Sequence, residues 1–89
     1  MTLEEIQEYS KVNDVELLLF SNPEFSNSII GISSDNKVIY DYDLMIQDLM
    51  KTENLSEIDA IEFINYNTIR SLPYYENAPI ILETKHFYK

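Results

Sequence analysis

Hydrophobic positions change period several times along the chain, and each change marks an element. Leu3, Ile6 and Tyr9 recur on one helical face. Thr2 precedes them with Glu5 three residues on, a spacing in which each side chain satisfies a free backbone N–H of the other residue. Asn13-Asp14 favours a turn and ends this helix. "VELLLF" at Val15–Phe20 is a short apolar run between turn signals and predicts a strand. "SNPEFSNS" (Ser21–Ser28) predicts a loop, because Pro, Asn and Ser compete with regular backbone pairing. Ile29–Ser33 and Val38–Tyr40 predict two further strands joined by "SSDNK", where Asp35-Asn36 tolerates the positive φ of a tight hairpin.

The period then lengthens. In "DYDLMIQDLMK" (Asp41–Lys51), Tyr42, Met45, Ile46, Leu49 and Met50 form an i, i+3, i+4, i+7, i+8 stripe, with Asp41 or Asp43 placed to cap the helix. Ser56 with Asp59 three on starts another helix, whose inner face carries Ala60, Ile61, Ile64 and Thr68, with Phe63 beside it. Pro73 is expected to stop that helix before Leu72. Pro79–Thr84 ("PIILET") predicts a last strand, with Pro79 suited to a strand's first residue or to an edge. The order is α-β-β-β-α-α-β. It predicts one α+β domain over residues 1–89: a small antiparallel sheet, made of a three-strand meander plus the C-terminal strand, covered by helices.

Charge adds a division that the pattern does not show. The net charge is −10, with sixteen acids against six bases. Residues 1–40 carry −5, residues 41–62 carry −6, and residues 63–89 carry +1. Such a chain repels nucleic acid and anionic membranes and favours basic partners, although a charged face is more often simply solvated. No cysteine is present, which excludes disulfides, thiolate metal sites and cysteine nucleophiles. The N-terminus is acidic where a secretion signal would be basic, and "LLLF" is far shorter than the ~20 residues of a membrane span. A soluble, cytoplasmic protein is expected.

Candidate chemistry is sparse. His86, the sole histidine, lies near the C-terminus, a poor place to hold a general base. One glycine, Gly31, cannot build a phosphate cradle. "DYD" opens like a calcium loop but continues into an apolar helical stripe, so helix capping is the better reading. No catalytic, cofactor or metal residue is assigned, and the chain is expected not to be an enzyme. Two candidate surfaces remain. Asp41, Asp43, Asp48, Glu53, Glu57, Asp59 and Glu62 span two helices and offer an acidic face resembling a phosphate array. Tyr66, Arg70, Tyr74 and Tyr75 in "FINYNTIRSLPYY" form a second candidate, because tyrosine and arginine are over-used at binding hot spots. The structural reading of that stretch is a helix end: Arg70 as a terminal cation that could pair with Glu62 or another acid, and Asn67 and Thr68 bonding local backbone.

"YDYDLMIQDLM" followed by "SEIDAIEFINYNTIRSLPYYENAPIIL" resembles a group of small, mostly uncharacterised proteins from phages and mobile elements of Firmicutes. Their pattern joins a Tyr-Asp helix start, a helix ending in Tyr-Asn-Thr-Ile/Leu-Arg-Ala-Leu-Pro-Tyr, and an Ala-Pro-Ile-Ile strand. The likeness covers roughly residues 38–82, with Arg70, Pro73, Tyr74, Ala78 and Pro79 at matching positions. Ser71 stands where the pattern has alanine, and a glycine before Ala78 is missing. The group brings no activity to transfer, but the scarcity of glycine and arginine beside plentiful isoleucine and asparagine also suits an AT-rich source. By analogy with small acidic phage proteins that occupy nucleic-acid-binding surfaces, the expectation is an inhibitor or modulator of a host protein with a basic surface. That host protein would be a nucleic-acid-binding protein or a defence nuclease, met in the manner of a DNA mimic or anti-CRISPR, with no direct contact to nucleic acid or membrane. The alternative is an assembly module that self-associates or docks through its tyrosines and an edge strand.

Overall fold

The structure, a computed structural model, describes residues 1–21 and 23–83. His86 and the last residue of the expected C-terminal strand, Thr84, lie outside the described residues.

Helix α1 (Leu3–Asn13) starts as its sequence requires. The Thr2 hydroxyl accepts from the Glu5 N–H at 3.1 Å, and the Glu5 carboxylate accepts from the Thr2 N–H at 2.9 Å. It ends at Asp14, whose left-handed φ of 52° places its N–H on the Ser10 carbonyl. Ile6 on its inner face is 2% exposed.

The segment Val15–Phe20 is not a strand. It crosses the core as irregular chain, half-buried from Leu17 to Phe20. Val15 bonds back to Ser10 at the end of α1, and at the other end of the segment the Phe20 N–H donates to the Tyr40 hydroxyl at 3.0 Å. Tyr40 lies on the central strand of the sheet, whose two sides are already occupied, so this apolar run finds no ladder there and buries its side chains instead.

Strands β1 (Ile29–Ile32) and β2 (Val38–Asp41) form the expected antiparallel hairpin. Ile30 is an extra residue in the register, a bulge that leaves it 42% exposed. The turn places Asn36 at φ 62°, and the Asn36 N–H and Lys37 carbonyl close it on Ser33. Helix α2 (Tyr42–Thr52) follows without a linker: the Asp41 carboxylate, still in β2, accepts from the Leu44 N–H at 3.0 Å. Helix α3 (Glu57–Phe63) is capped by the Ser56 hydroxyl on the Asp59 N–H at 3.2 Å.

Two corrections come from the second half. The helical path does not stop before Leu72. It widens into a π turn at Ile64–Thr68, tightens into a 3₁₀ turn at Ile69–Tyr74, and carries Pro73 inside that turn. Proline lacks an N–H, but in a closing turn only one bond is forfeited, and the Tyr75 N–H still reaches the Leu72 carbonyl at 3.2 Å. The sheet, moreover, is not four antiparallel strands. Strand β3 (Ile80–Leu82) pairs parallel to β2, with Ile39 opposite Ile80 and Asp41 opposite Leu82, giving a three-strand mixed sheet in the order β1-β2-β3. The α2–α3 connection is the long helical crossover that parallel neighbours need. The architecture is α+β, in the order α-β-β-α-α-β.

The core lies on one face of the sheet. Ile29, Val38 and Tyr40 meet Met45 and Leu49 of α2, Ala60 of α3, Ile64 of the π turn and Ile6 of α1, all nearly without exposed surface. Ala60, Ile64 and Thr68 stay on this inner row because the π turn reverses the drift that an i, i+4 row accumulates along an α-helix. Phe25 closes the core from the loop, 1% exposed at a φ of 51°. The left-handed conformation costs a non-glycine residue about 1–2 kcal/mol. Burying a phenylalanine side chain returns about 1.5–3 kcal/mol, and its ring meets Phe20 edge-on at 6.0 Å.

Candidate functional site

The acidic residues divide by what their side chains already do. Asp41 is committed to capping α2, and Asp43 accepts from the Gln47 amide at 2.9 Å one turn along the same helix. Asp48 is half-buried. Glu53 stands exposed at the end of α2, and Glu57, Asp59 and Glu62 stand exposed on α3, which packs beside α2. The expected face therefore narrows to four outward carboxylates, with the aspartates of "DYD" acting within the helix. Among the described residues, no three acidic or histidine side chains converge as metal ligands would.

The acidic face also holds apolar surface that the charge pattern did not reveal. Ile58 is 69% exposed between Glu57 and Asp59. Four residues on comes Glu62, and four further comes Tyr66, 66% exposed. Ile58 could have been found in the sequence as the one aliphatic residue off the inner stripe of α3.

Of the second candidate group, Tyr66, Arg70, Tyr74 and Tyr75 are all exposed, Tyr74 most of all at 87%. Arg70 lies within the 3₁₀ turn, and among the described residues no carboxylate, Glu62 included, is within 4 Å of it. The helical path runs on to Tyr74, so Arg70 sits short of the end where a cation gains most from the dipole. Asn67 does bond local backbone, donating its amide to the Phe63 carbonyl at 3.1 Å. Thr68 contributes its carbonyl instead, which accepts from the Ser71 hydroxyl at 2.8 Å.

The π turn and the irregular segment together enclose a hollow of about 320 Å³. Leu19 and Phe20 line one wall, and Phe63, Asn67, Thr68 and Tyr75 line the other. Its described lining carries no carboxylate and no basic side chain. Thr68 borders it although only 7% exposed. A π turn displaces the helix surface outward, and such turns occur frequently at functional sites. A second hollow of about 440 Å³ adjoins the first through Pro23 and Phe63, which line both, and it holds Glu24 and Glu53. Sequence reasoning missed this groove, because it needs the loop after Phe20 and the helix after Phe63 to meet.

Four tyrosine and carboxyl environments differ from the ordinary, one of them that of Glu5 in the α1 cap. Burial pushes the Tyr40 phenol up; the Phe20 N–H opposes that shift and the nearby Glu24 carboxylate adds to it. Burial also raises Tyr42, helped by Glu83 and opposed by the bond from its hydroxyl to the Asn65 side-chain oxygen at 3.2 Å. The Ser33 hydroxyl holds Asp35 low, with a smaller contribution from Lys37, whose ammonium is 3.6 Å away. Tyr40, Tyr42 and Asp35 line neither of the two hollows.

Among the described residues no helix is long and apolar enough to cross a membrane. Comparison of the chain with protein-family models, with curated proteins and with solved structures gives no match.

Proposed function

We propose that this protein acts by binding, without chemistry of its own, and that its target is a host protein with a basic surface, in particular a nucleic-acid-binding protein or defence nuclease of a bacterial cell. The observation that carries this reading is Ile58, 69% exposed on α3 between Glu57 and Asp59. A single exposed aliphatic side chain is ordinary, but Ile58 is followed eight residues on by exposed Tyr66 with Glu62 between them, and an apolar centre with a polar rim is the anatomy of an interface. The ring is acidic, so the surface it meets is basic, and carboxylates there compete with phosphates for the same cations. The likeness of residues 38–82 to phage and mobile-element proteins supports a bacterial host.

The test is affinity capture from a Gram-positive lysate with wild type and a Glu57→Lys/Asp59→Lys/Glu62→Lys variant. The expected result is a nucleic-acid-handling protein that is held at low salt, released at high salt and not captured by the variant. Capture that ignores both salt and charge reversal overturns the reading. A second reading, self-association, is favoured by Tyr74 and by the outer edge of β3, which no strand among the described residues pairs. Light scattering that shows a monomer at high concentration removes it.

A further inference from the structure

The two adjoining hollows have opposite character, and the same two side chains form the wall between them. We infer that this groove receives an extended peptide segment of the basic partner, with an aromatic or large aliphatic side chain in the neutral hollow and a nearby lysine or arginine over the acidic one. The inference rests on the proposed function and adds the place and the recognition chemistry.

The neutral hollow suits an uncharged side chain. Phe20 and Phe63 give it apolar walls, Tyr75 adds an aromatic rim, and Ser71 and Asn67 present polar atoms whose own bonds are partly satisfied within the helix. An ionised group placed there would find no counter-charge among the described lining residues. Its volume, about 320 Å³, is ample for one aromatic side chain with its backbone. The adjoining hollow reverses the preference. Glu24 and Glu53 are its charged lining residues, both exposed, and among the described residues no cation lines it. A basic side chain finds charge complementarity there while remaining partly hydrated. Pro23 and Phe63 border both hollows, so one short stretch of chain can serve the two at once. A small neutral molecule would use only the first hollow, and a polyanion is rejected by the second.

The probe is a displayed library of random twelve-residue peptides, selected on the folded protein, with binding of synthetic hits read by fluorescence polarisation. The expected hits pair an aromatic or large aliphatic residue with a lysine or arginine close by in sequence. Replacing either residue of the pair in the peptide, by glycine or by glutamate respectively, should weaken binding at least tenfold, a result that needs no protein variant to fold. Glu24→Lys/Glu53→Lys, both at exposed positions, should also weaken it at least tenfold. Ser71→Trp, with folding checked by circular dichroism, should abolish it by filling the neutral hollow. Failure to enrich peptides, hits without the pair, or affinity unchanged by Glu24→Lys/Glu53→Lys overturns the inference. The Glu57→Lys/Asp59→Lys/Glu62→Lys variant lies outside the groove and should bind the peptides as wild type does. If that variant loses the host partner while Glu24→Lys/Glu53→Lys keeps it, the groove inference falls and the acidic α3 face stands.

Discussion

The Phe20 N–H donates to the hydroxyl of Tyr40 at 3.0 Å, and this bond fastens an irregular apolar segment to the central strand of the sheet. The two rings also pack with centroids 4.5 Å apart. Tyr40 is fully buried, so its hydroxyl serves the fold as an internal partner for a backbone group that no ladder satisfies. Tyr40→Phe keeps the ring and removes the oxygen. The expected loss is about 1–3 kcal/mol, the cost of leaving a buried donor unpaired, read from denaturant unfolding.

The same residue sets an alkaline limit. Burial raises the Tyr40 phenol above its ordinary value, so the fold favours the neutral form. The corresponding stability is fully present below the unfolded tyrosine pKa near 10 and falls as pH climbs from there through the higher folded value. Unfolding midpoints of wild type should therefore drop above about pH 10. Tyr40→Phe should drop less steeply, leaving the share that Tyr42 contributes.

Glu5 predicts the opposite sign. The Thr2 backbone N–H, and then its hydroxyl, hold this carboxyl below its ordinary value. Its contribution is present above the unfolded glutamate pKa and is lost as pH falls through the lower folded value. Glu5→Gln should flatten the acid limb of a pH–stability curve. Thr2→Ala removes the other half of the box and should cost about 1 kcal/mol at neutral pH.

Asn36 joins three parts of the molecule. At φ 62° it shapes the β1–β2 turn, its side chain accepts from the Tyr9 hydroxyl of α1 at 3.0 Å, and its carbonyl accepts from the Asn77 amide ahead of β3. Asn36→Gly keeps the backbone conformation and loses the Tyr9 bond, so about 1 kcal/mol is expected. Asn36→Ala loses the bond and also strains the turn, so about 2 kcal/mol or more is expected. The order of the two variants in thermal unfolding checks the assignment.

What could be read from the sequence followed local rules. Thr2 with Glu5, Asp41, Ser56 with Asp59, and Asp35-Asn36 each act over three or four residues, and each performs the local role its spacing implied. The errors arose where partners are distant. "VELLLF" has strand composition, but its tie to the sheet is to the Tyr40 side chain on β2, which β1 and β3 already flank, so there it buries side chains without joining a ladder. Pro73 reads as a stop for an α-helix, yet the chain had left α geometry at Ile64 and was ending in tighter turns. The acidic surface was legible as charge; Ile58 within it, and the groove between Pro23 and Phe63, required the helices to be placed.

The parallel pairing of β2 with β3 makes the most direct test of the fold. Ile39 lies opposite Ile80 in the register, and the chain has no cysteine of its own. Adjacent paired residues in a sheet fall within the Cα separation that a disulfide tolerates. Ile39→Cys/Ile80→Cys should therefore oxidise to an intramolecular bridge, whereas an antiparallel C-terminal strand would carry Ile80 away from Ile39 in most registers. A control pair offset along the strand, Ile39→Cys/Leu82→Cys, should remain reduced under the same mild oxidation, because Leu82 pairs with Asp41. The bridge closes the whole α2–α3 crossover and should raise stability by up to about 4 kcal/mol if the native geometry accepts it. Non-reducing gel mobility separates the two variants, and equal oxidation of both would overturn the register.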